Sequence, residues 1–485
     1  MKYLILETNA LKPHLETAGE LAFRLKDEGA AVFYSWLGSD LPWSDWNLPW
    51  HLKFIGCSLD KRLNDFSDLL LDSDISILDK PNISDQVVIE ISDWASSFTG
   101  GLDQLKNYKY KEKLLGMGVA SSLISFYSDS LYPVQEKFPE VRMALFSAAL
   151  VYERAFALIS MSAPDYVVTF NGRFATAKPI VLAAQELKVK VIRHERGSTF
   201  ERYETFTDAI HNYEYIKLRI NDHWASTNKC DRGLNAKSFF ERKRGGDGIG
   251  WHSFTEKQIS GFVPAKKNGC RRVVYFSSSD DEYAAVTDVY KPGPWSNQLT
   301  AVNALIDLCN SIENIELVIR VHPHLSKKSK KEQERWRVFE SSERLIYIAP
   351  SNPVDSYSLL DSADVVVTYG STIGIEAAYW GKPSVLLGPS SYRDTSSVFS
   401  PSSNDELLRL LLNIDLVVPD KDFCLKYGNY YLTYGSLFEY YRPSSLSDGL
   451  LKGKRLGWDP DLLYKSRKLF FSKIVKTIIK YITFS

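Results

Sequence analysis

The sequence predicts an α/β protein built from two doubly wound domains, and three observations support this. The chain has 485 residues, more than one hydrophobic core usually supports, so two domains of about 200 residues each are expected. In both halves, short apolar runs typical of strands alternate with segments of helical periodicity. Hydrophobic residues make up 44% and charged residues 24% of the chain, as in ordinary globular proteins. Two such domains would leave a cleft between them.

The first domain is predicted over residues 1–220. It opens with a strand at 2–6, a helix at 13–28 and a strand at 31–36, which form a βαβ unit. A tryptophan-rich loop with Trp43, Trp46 and Trp50 follows, and its expected role is lid or core packing, with binding of sugar rings as the alternative. The remaining predicted elements are a strand at 87–91, a helix at about 141–162, a strand at 166–170, a helix at 175–187 and a strand at 189–193.

The second domain is predicted over residues 269–415, after a linker or crossing region at 221–268. Helical and strand periodicity fades in that region, and Gly245, Gly246, Gly248 and Gly250 cluster there. A glycine cluster can cradle phosphate, but this one follows no clear strand, so a flexible linker is the preferred interpretation. The predicted elements of the second domain are strands at 272–277, 316–321, 345–348, 364–368 and 384–387, with a helix at 297–311 and further helical segments.

Residues 416–485 are predicted as a helical segment that ends in a basic amphipathic tail. Residues 464–484 contain lysines and arginines but no acid, with apolar residues at helical spacing. This pattern suits anionic lipid headgroups and predicts a cytoplasmic protein that lies peripherally on the inner membrane. The alternative is a helix that packs back on the first domain.

Charge and cysteine usage exclude some classes of function. Lys+Arg and Asp+Glu both number 59, so no bulk positive field favours nucleic acid as a partner. The five cysteines are scattered singly, as expected for a reduced cytosolic protein without structural zinc. No signal peptide is expected, nor a run of about 18 apolar residues that would span a membrane.

The clearest candidate binding motif lies in residues 364–388, where an apolar strand runs into Tyr369-Gly370-Ser371-Thr372-Ile373-Gly374. We expect free amides and hydroxyls there to bind a donor phosphate, with Glu376 reaching a ribose or base. A plain N-cap with an ordinary surface glutamate is the alternative. The strand at 316–321 ends in His322-Pro323, and a histidine at that position can donate to a phosphate.

These motifs resemble those of a known group of enzymes. Arg320-Val321-His322-Pro323, the segment Tyr369 to Glu376 and Gly381-Lys382-Pro383 are similar to donor-side motifs of bacterial capsule and lipopolysaccharide transferases. Asn171-Gly172-Arg173, Glu195-Arg196-Gly197 and the run Ser278 to Glu282 resemble the same capsule-biosynthesis group, including its retaining Kdo (3-deoxy-manno-octulosonic acid) transferases. The resemblance covers about residues 165–390. It implies the GT-B fold, in which two Rossmann-like domains face a central cleft.

The resemblance also implies partners and roles for individual residues. The donor would be a nucleotide sugar, in particular a CMP-linked one such as CMP-Kdo, without a cofactor, and the acceptor a lipid-linked or oligosaccharide chain. Asp281 is expected to attack the anomeric carbon, and Glu195 to act as general acid/base or to orient the acceptor. The substrate-binding candidates are Asn171, Arg173, Arg196, Ser279 and Glu282. The donor-binding candidates are Arg320, His322, Ser371, Thr372 and Glu376.

Several alternatives stay open at this point. The acidic run 280–282 can instead cap a helix, and Glu195, Arg173 and Arg196 can make structural salt bridges. Other functions that fit are a sialyltransferase-like inverting transferase, a sugar-nucleotide epimerase and a non-catalytic sugar-binding subunit of an assembly. Asp72-Ser73-Asp74 has the spelling of a metal-binding Asp-x-Asp motif, but it is predicted to lie in a loop. No required metal is expected.

Overall fold

The strands of the protein form two sheets and one small hairpin. The computed structural model describes residues 1–45, 59–249, 258–280, 283–284, 293–337, 339, 341–413, 415–418, 420–446 and 448–457. Both sheets have their parallel strands in the same doubly wound order. The prediction of an α/β protein with two Rossmann-like domains is therefore confirmed by the strand order itself.

The first sheet has seven strands, in the spatial order β12-β6-β5-β4-β1-β2-β3. The strands from β5 to β3 are parallel, and β6 and β12 continue the sheet in antiparallel fashion at one edge. The chain adds β2 and β3 on one side of β1 and then β4 and β5 on the other, so the strand order reverses between β1 and β4. The strands are β1 (Lys2–Glu7), β2 (Ala31–Trp36), β3 (Ser76–Ile77), β4 (Tyr166–Phe170), β5 (Lys190–Arg196), β6 (Arg202–Phe206) and β12 (Ser436–Leu437).

Helices cover both faces of the first sheet. The helices are α1 (His14–Asp27), α2 (Leu59–Leu71), α3 (Asp85–Ser97), α4 (Leu102–Lys106), α5 (Leu115–Tyr127), α6 (Phe138–Ser162) and α7 (Lys178–Glu186). The strand β1 is apolar and buried from Tyr3 to Leu6, as expected for a parallel strand that is covered on both sides. Its side chains contribute to two separate hydrophobic clusters, one on each face of the sheet.

The second sheet repeats this plan with five parallel strands in the order β11-β10-β7-β8-β9. Its strands are β7 (Arg271–Phe276), β8 (Ile315–Arg320), β9 (Leu345–Ile348), β10 (Val365–Thr368) and β11 (Ser384–Leu386). Its helices are α10 (Gln298–Ser311), α11 (Lys330–Arg337), α12 (Ser356–Ser362), α13 (Ile373–Tyr379) and α14 (Asn404–Leu412). This sheet reverses between β7 and β10.

Two further helices and a returning C-terminal segment join the domains. Helices α8 (Tyr213–Ser226) and α9 (Lys229–Arg244) pack with α15 (Asp422–Thr433) in a cluster that also contains Ile375 and Ala378 of α13. The chain then pairs β12 with β6 of the first sheet. A hairpin of β13 (Tyr441–Ser445) and β14 (Asp448–Leu451) follows, and its Tyr441 and Leu451 are buried in the first domain.

Three parts of the prediction differ from the structure. Residues 87–91 belong to a helix, because the Ser84 side chain accepts a hydrogen bond from Val87 N and Ile91 and Ala95 are the buried positions of one helical face. Residues 221–268, predicted as a linker, contain the end of α8 and all of α9. The segment from 416 is helical only in α15 and continues as strands. The basic tail 464–485 lies outside the described residues, and the domain boundaries themselves stay predictions.

One helix of the described chain is long and apolar enough to cross a membrane by length and composition. It is α6, and 67% of its most apolar stretch is buried inside the protein. The helix packs against α3, α5, α7 and β1. This makes it the central helix of the first domain.

Candidate functional site

In both sheets the candidate residues lie at the carboxyl ends of the central strands. In a doubly wound sheet, ligands bind beyond the carboxyl ends of the strands where the strand order reverses. In the second domain that position lies beyond β7 and β10, and in the first domain beyond β1 and β4. The sequence-predicted residues divide between these two positions.

A cavity of about 130 Å³ lies at the reversal point of the second sheet. All five predicted donor-binding residues line it, namely Arg320, His322, Ser371, Thr372 and Glu376. Its other lining residues are Lys243, Asp247, Gly248, Gln258, Phe276, Ser277, Pro323, Ser356, Tyr357 and Ile373. The cavity therefore combines cations, hydroxyls and one buried carboxylate.

The backbone of His322 is fixed and its imidazole is neutral. The His322 N–H donates to Ser277 Oγ at 2.8 Å, and Nδ1 accepts from the His324 N–H at 3.2 Å. Burial, with smaller contributions from His324 and Arg320, lowers the pKa of His322 to about 4. Since Nδ1 is an acceptor in a neutral ring, the proton lies on Nε2. His322 can therefore donate a hydrogen bond to a ligand oxygen, and its role toward a donor phosphate stays a prediction.

The guanidinium of Arg320 is bonded to backbone carbonyls. Its guanidinium donates to the carbonyls of Ala349 at 2.8 Å and Asn352 at 3.2 Å, so it anchors the loop after β9. No described carboxylate pairs with it, and burial lowers its pKa to about 10. A buried cation without a carboxylate favours an anion nearby. Arg320 thus gives the cavity wall a positive charge while its nitrogens hold the loop.

The hydroxyls of Ser371 and Thr372 do not cap the helix that follows them. Thr372 is the N-cap of α13, and its side chain makes no capping hydrogen bond. The two glycines of the motif are required by packing: a Cβ on Gly370 would lie 2.6 Å from Tyr283 Oη, and one on Gly374 would lie 2.7 Å from Tyr392 Oη. Close internal packing therefore accounts for both glycines.

Glu376 is a buried carboxylate on α13 with a tyrosine partner. Only 3% of the residue is exposed, and Oε2 accepts a hydrogen bond from Tyr357 Oη at 2.5 Å. Burial and this carboxylate raise the pKa of Tyr357 well above its ordinary value, so the phenol keeps its proton. The interpretation of Glu376 as an ordinary surface glutamate is excluded by its burial.

Other cavity residues were missed by the sequence prediction. Lys243, Asp247 and Gly248 come from the end of α9 and the turn after it, which was interpreted as a linker. Ser277 directly follows β7, and Tyr357 lies in the first turn of α12. The position of Ser277 just beyond a strand was a usable signal. The glycine cluster at 245–250, weighed as a phosphate cradle, was a local signal for Gly248, whereas Lys243 reaches the cavity through the packing of α9 against α15.

Polar side chains also meet beyond β4 and β5 of the first sheet. Glu195 Oε2 accepts from Asn171 Nδ2 at 2.7 Å, and Oε1 accepts from the Arg196 N–H at 3.0 Å. Asn171 has a φ of 54°, a left-handed conformation that asparagine tolerates better than most residues. This turn directs its amide toward Glu195. The structure thus brings together Asn171, Glu195 and Arg196, and their roles toward substrate stay predictions.

The two predicted arginines make contacts that hold loops. Arg196 Nη2 donates to the Lys12 carbonyl at 3.1 Å. Arg173 Nη2 donates to Ser125 Oγ at 3.3 Å, and its guanidinium lies 4.4 Å from the centre of the Phe174 ring. Their role as substrate-binding residues stays a prediction.

The acidic segment after β7 begins at the junction of the domains. Asp280 Oδ1 accepts from Gln298 Nε2 at 2.7 Å, and Oδ2 lies 3.7 Å from Arg335 Nη1. Arg335 also donates to Ser130 Oγ of the first domain at 2.7 Å. The predicted Ser279 is buried. Asp281 and Glu282, the predicted nucleophile and substrate ligand, lie outside the described residues.

Among the described residues, no group of three or more histidine, cysteine, aspartate or glutamate side chains is arranged to hold a metal ion. The Asp72-Ser73-Asp74 motif lies in the turn between α2 and β3. The absence of a required metal stays a prediction.

Comparisons with known proteins gave structural similarities alone. No protein-family model matches the sequence, and no curated protein matches it. The chain is similar to the structure of Thermosulfurimonas dismutans KpsC, beta Kdo 2,4 transferase, with 12% identity over 54% of this chain and 78% of that one, at a TM-score of 0.39. The beta Kdo 2,7 transferase of the same KpsC gives 14% identity, 65% and 89% coverage, and a TM-score of 0.36.

An epimerase is also among the similar structures. The UDP-GlcNAc 2-epimerase from Neisseria meningitidis bound to UDP-GlcNAc has 12% identity, with 89% of this chain and 96% of that chain covered and a TM-score of 0.27. The fold class of this chain, two Rossmann-like domains as in GT-B proteins, is defined by its own strand orders.

Proposed function

We propose that this chain is a nucleotide-sugar-dependent glycosyltransferase that transfers a sugar onto a bacterial surface polysaccharide. The observation that carries the proposal is the cavity at the reversal point of the second sheet. Its lining residues include two cations, a neutral histidine donor, hydroxyls and a buried carboxylate. Cations and hydrogen-bond donors suit a phosphate, and a carboxylate suits the hydroxyls of a ribose.

The cavity has groups suited to the phosphate of a nucleotide and a group suited to its ribose. The charge of Arg320 has no described carboxylate partner, so a phosphate nearby would offset the cost of its burial. Lys243 adds a second cation, and His322 Nε2 and the hydroxyl of Ser371 supply donors. The Glu376 carboxylate, held by Tyr357 Oη, is suited to accept hydrogen bonds from a ribose diol.

The first domain would bind the acceptor. Glu195 presents a carboxylate oriented by Asn171 and by the Arg196 N–H at the carboxyl end of β5. Because both clusters lie at reversal points, one ligand in each would meet in the cleft. Glu195 would orient the acceptor or manage its proton, and Asp281 would attack the anomeric carbon in a retaining mechanism.

The finer identity of the substrates comes from the sequence resemblance. It favours a CMP-linked acidic sugar, Kdo or a relative of it, as donor and a lipid-linked or oligosaccharide chain as acceptor. An enzyme with these substrates would act in the cytoplasm at the inner leaflet, where the basic tail 464–485 would bind anionic lipids. The sugar-nucleotide epimerase and the non-catalytic binding subunit are the outcomes that the experiment has to exclude.

A nucleotide screen followed by product analysis tests the proposal. Thermal shift of the full chain with CMP, UDP and GDP should show stabilisation by one nucleotide, because a ligand that binds only the folded state raises its stability. CMP-Kdo, CMP-sialic acid and UDP-GlcNAc are then supplied with capsule and lipopolysaccharide oligosaccharides. A transferase lengthens an oligosaccharide by one sugar. An isomerised donor without any lengthened product would identify an epimerase and overturn the proposal.

A further inference from the structure

The loop after β1 brings a histidine to the acceptor side of the cleft. Residues 8–13 connect β1 to α1, and they are held from several directions. Arg62 Nε donates to the Ala10 carbonyl at 2.6 Å, Arg196 Nη2 donates to that of Lys12, and Lys12 Nζ pairs with Asp448 Oδ1 at 3.0 Å. The first residue of α1 is therefore held in place.

That residue, His14, has an unused ring nitrogen beside Glu195. The residue is 7% exposed, and its ring packs on Phe170 with 3.9 Å between the ring centres. Nδ1 is buried, has no hydrogen-bond partner among the described residues, and lies 3.9 Å from Glu195 Oε1. A buried polar nitrogen without a partner is costly, so its presence in a folded protein needs a reason, and a catalytic role is one such reason.

The surroundings of this imidazole disfavour its protonated form. Burial is the main cause that lowers the pKa of His14 well below its ordinary value, and the cationic Arg196 and Arg62 and the ring of His194 add to it. The ring is therefore neutral and has a lone pair to offer at neutral pH. The Glu195 carboxylate is already fixed by two N–H donors, so it can orient the ring without moving.

We propose that His14 takes the proton of the acceptor hydroxyl and that Glu195 acts as its orienting carboxylate. The inference rests on the proposed glycosyl transfer and assigns the proton to a residue that the sequence did not indicate. When an acceptor binds, Nδ1–H would close the 3.9 Å distance to Glu195 Oε1, because catalytic hydrogen bonds are often long before substrates bind. Nε2 would then be the accepting nitrogen.

The proposed step is balanced in atoms and charge. The acceptor oxygen forms a bond to the anomeric carbon as its O–H proton passes to His14 Nε2. The bond from the anomeric carbon to the leaving oxygen breaks, and the electron pair departs on that oxygen, which belongs to the nucleotide phosphate or to an enzyme carboxylate. The imidazolium formed is balanced by the neighbouring Glu195 carboxylate.

The test uses the full chain and whichever of CMP-Kdo, CMP-sialic acid and UDP-GlcNAc the wild type consumes. His14→Ala should lower kcat for transfer by about 10²-fold to 10⁴-fold, the usual contribution of a positioned general base. The KM of the donor and the affinity for the free nucleotide should change less than about threefold, because the nucleotide binds at the other sheet. Added imidazole should raise the transfer rate of His14→Ala at least tenfold, and more basic imidazole derivatives should raise it further.

Two further variants complete the test. His223→Gln is the matched control, because that histidine belongs to neither cluster and its Nε2 is hydrogen-bonded to Thr433 Oγ1 at 2.8 Å. The kcat of this variant should stay at the wild-type level. His14→Gln fills the space of the ring, so it tests turnover even if the alanine variant does not fold. Near-normal kcat in folded His14→Gln, or loss of kcat without imidazole rescue in folded His14→Ala, overturns the inference. Absence of any transfer by the wild type overturns the proposed function instead.

Discussion

Tyr357 Oη donates to Glu376 Oε2 across 2.5 Å, which joins the first turn of α12 to α13 inside the proposed nucleotide cavity. Among the described residues, this is the hydrogen bond made to the buried side chain of Glu376. Because α13 follows β10 and α12 follows β9, the pair also connects the two halves of the second sheet around its reversal point. Its removal should be visible in both stability and ligand binding.

Replacing Tyr357 by phenylalanine is expected to destabilise the protein by about 1–3 kcal/mol, since a buried carboxylate would lose its donor. Urea unfolding monitored by circular dichroism measures this change. Tyr347→Phe is the matched control, because no described hydrogen bond involves the Tyr347 hydroxyl, and its effect should stay within about 0.5 kcal/mol. Equal stability of the two variants would show that the Tyr357 to Glu376 bond contributes nothing.

His322→Ala and Ser371→Ala should weaken nucleotide binding more than they weaken the fold. A hydrogen bond to a charged phosphate contributes about 1.5–3 kcal/mol, so Kd should rise by about tenfold to a hundredfold. Calorimetry with CMP, or with the nucleotide that stabilises the wild type, measures this effect. If both variants bind with unchanged affinity and native unfolding temperature, the nucleotide binds elsewhere.

Stability should fall between pH 7 and pH 4 in a way that depends on His322. An unfolded histidine takes up its proton near pH 6.5, whereas the folded pKa of His322 is about 4. Between these values the unfolded state binds more protons, so acid favours unfolding. His322→Gln should therefore lose less stability than the wild type as the pH falls, by up to about 1.4 kcal/mol per pH unit. Unfolding curves at pH 8, 6 and 4.5 measure this, and parallel losses in both proteins would contradict it.

Removing residues 464–485 should release the protein from anionic vesicles. The tail is basic and carries apolar residues at helical spacing, so its binding is expected to depend on negative lipid charge. Sedimentation with vesicles of phosphatidylglycerol and phosphatidylcholine measures the bound fraction, and pure phosphatidylcholine is the control. A truncated protein that unfolds, or that still sediments fully, would contradict a membrane role for this tail.

Asp281 is expected to form a covalent glycosyl-enzyme and to give retention of the donor configuration. Nucleophilic catalysis divides a difficult displacement into two easier steps. Intact-protein mass spectrometry after incubation with CMP-Kdo should show one added sugar, located on the peptide that contains Asp281. Asp281→Ala should lose both the adduct and turnover. Near-normal turnover in that variant, or a product with inverted linkage, would overturn the nucleophile while leaving the transferase proposal standing.

Apolar periodicity was sufficient to locate most parallel strands. The predicted strand at 345–348 coincides with β9, and those at 272–277 and 316–321 are each displaced by one residue from β7 and β8. Strands buried on both faces are continuous apolar runs, so burial is written into their local composition. The same rule was wrong at 87–91, where β-branched residues lie in a helix. Ser84 caps this helix and one of its faces is buried, and these two effects outweigh the strand propensity of the residues.

The sequence by itself determined the two α/β domains and the motifs beyond their strands, because periodicity and turn residues are local properties. The tertiary structure alone decided which motifs meet. The strand order places His322, Ser371 and Glu376 around one cavity, and the packing of α9 adds Lys243 from a distant segment. It also decided that the Arg320 guanidinium holds a loop and that His14 lies beside Glu195. Such encounters depend on crossovers between distant segments, and no local pattern of residues encodes them.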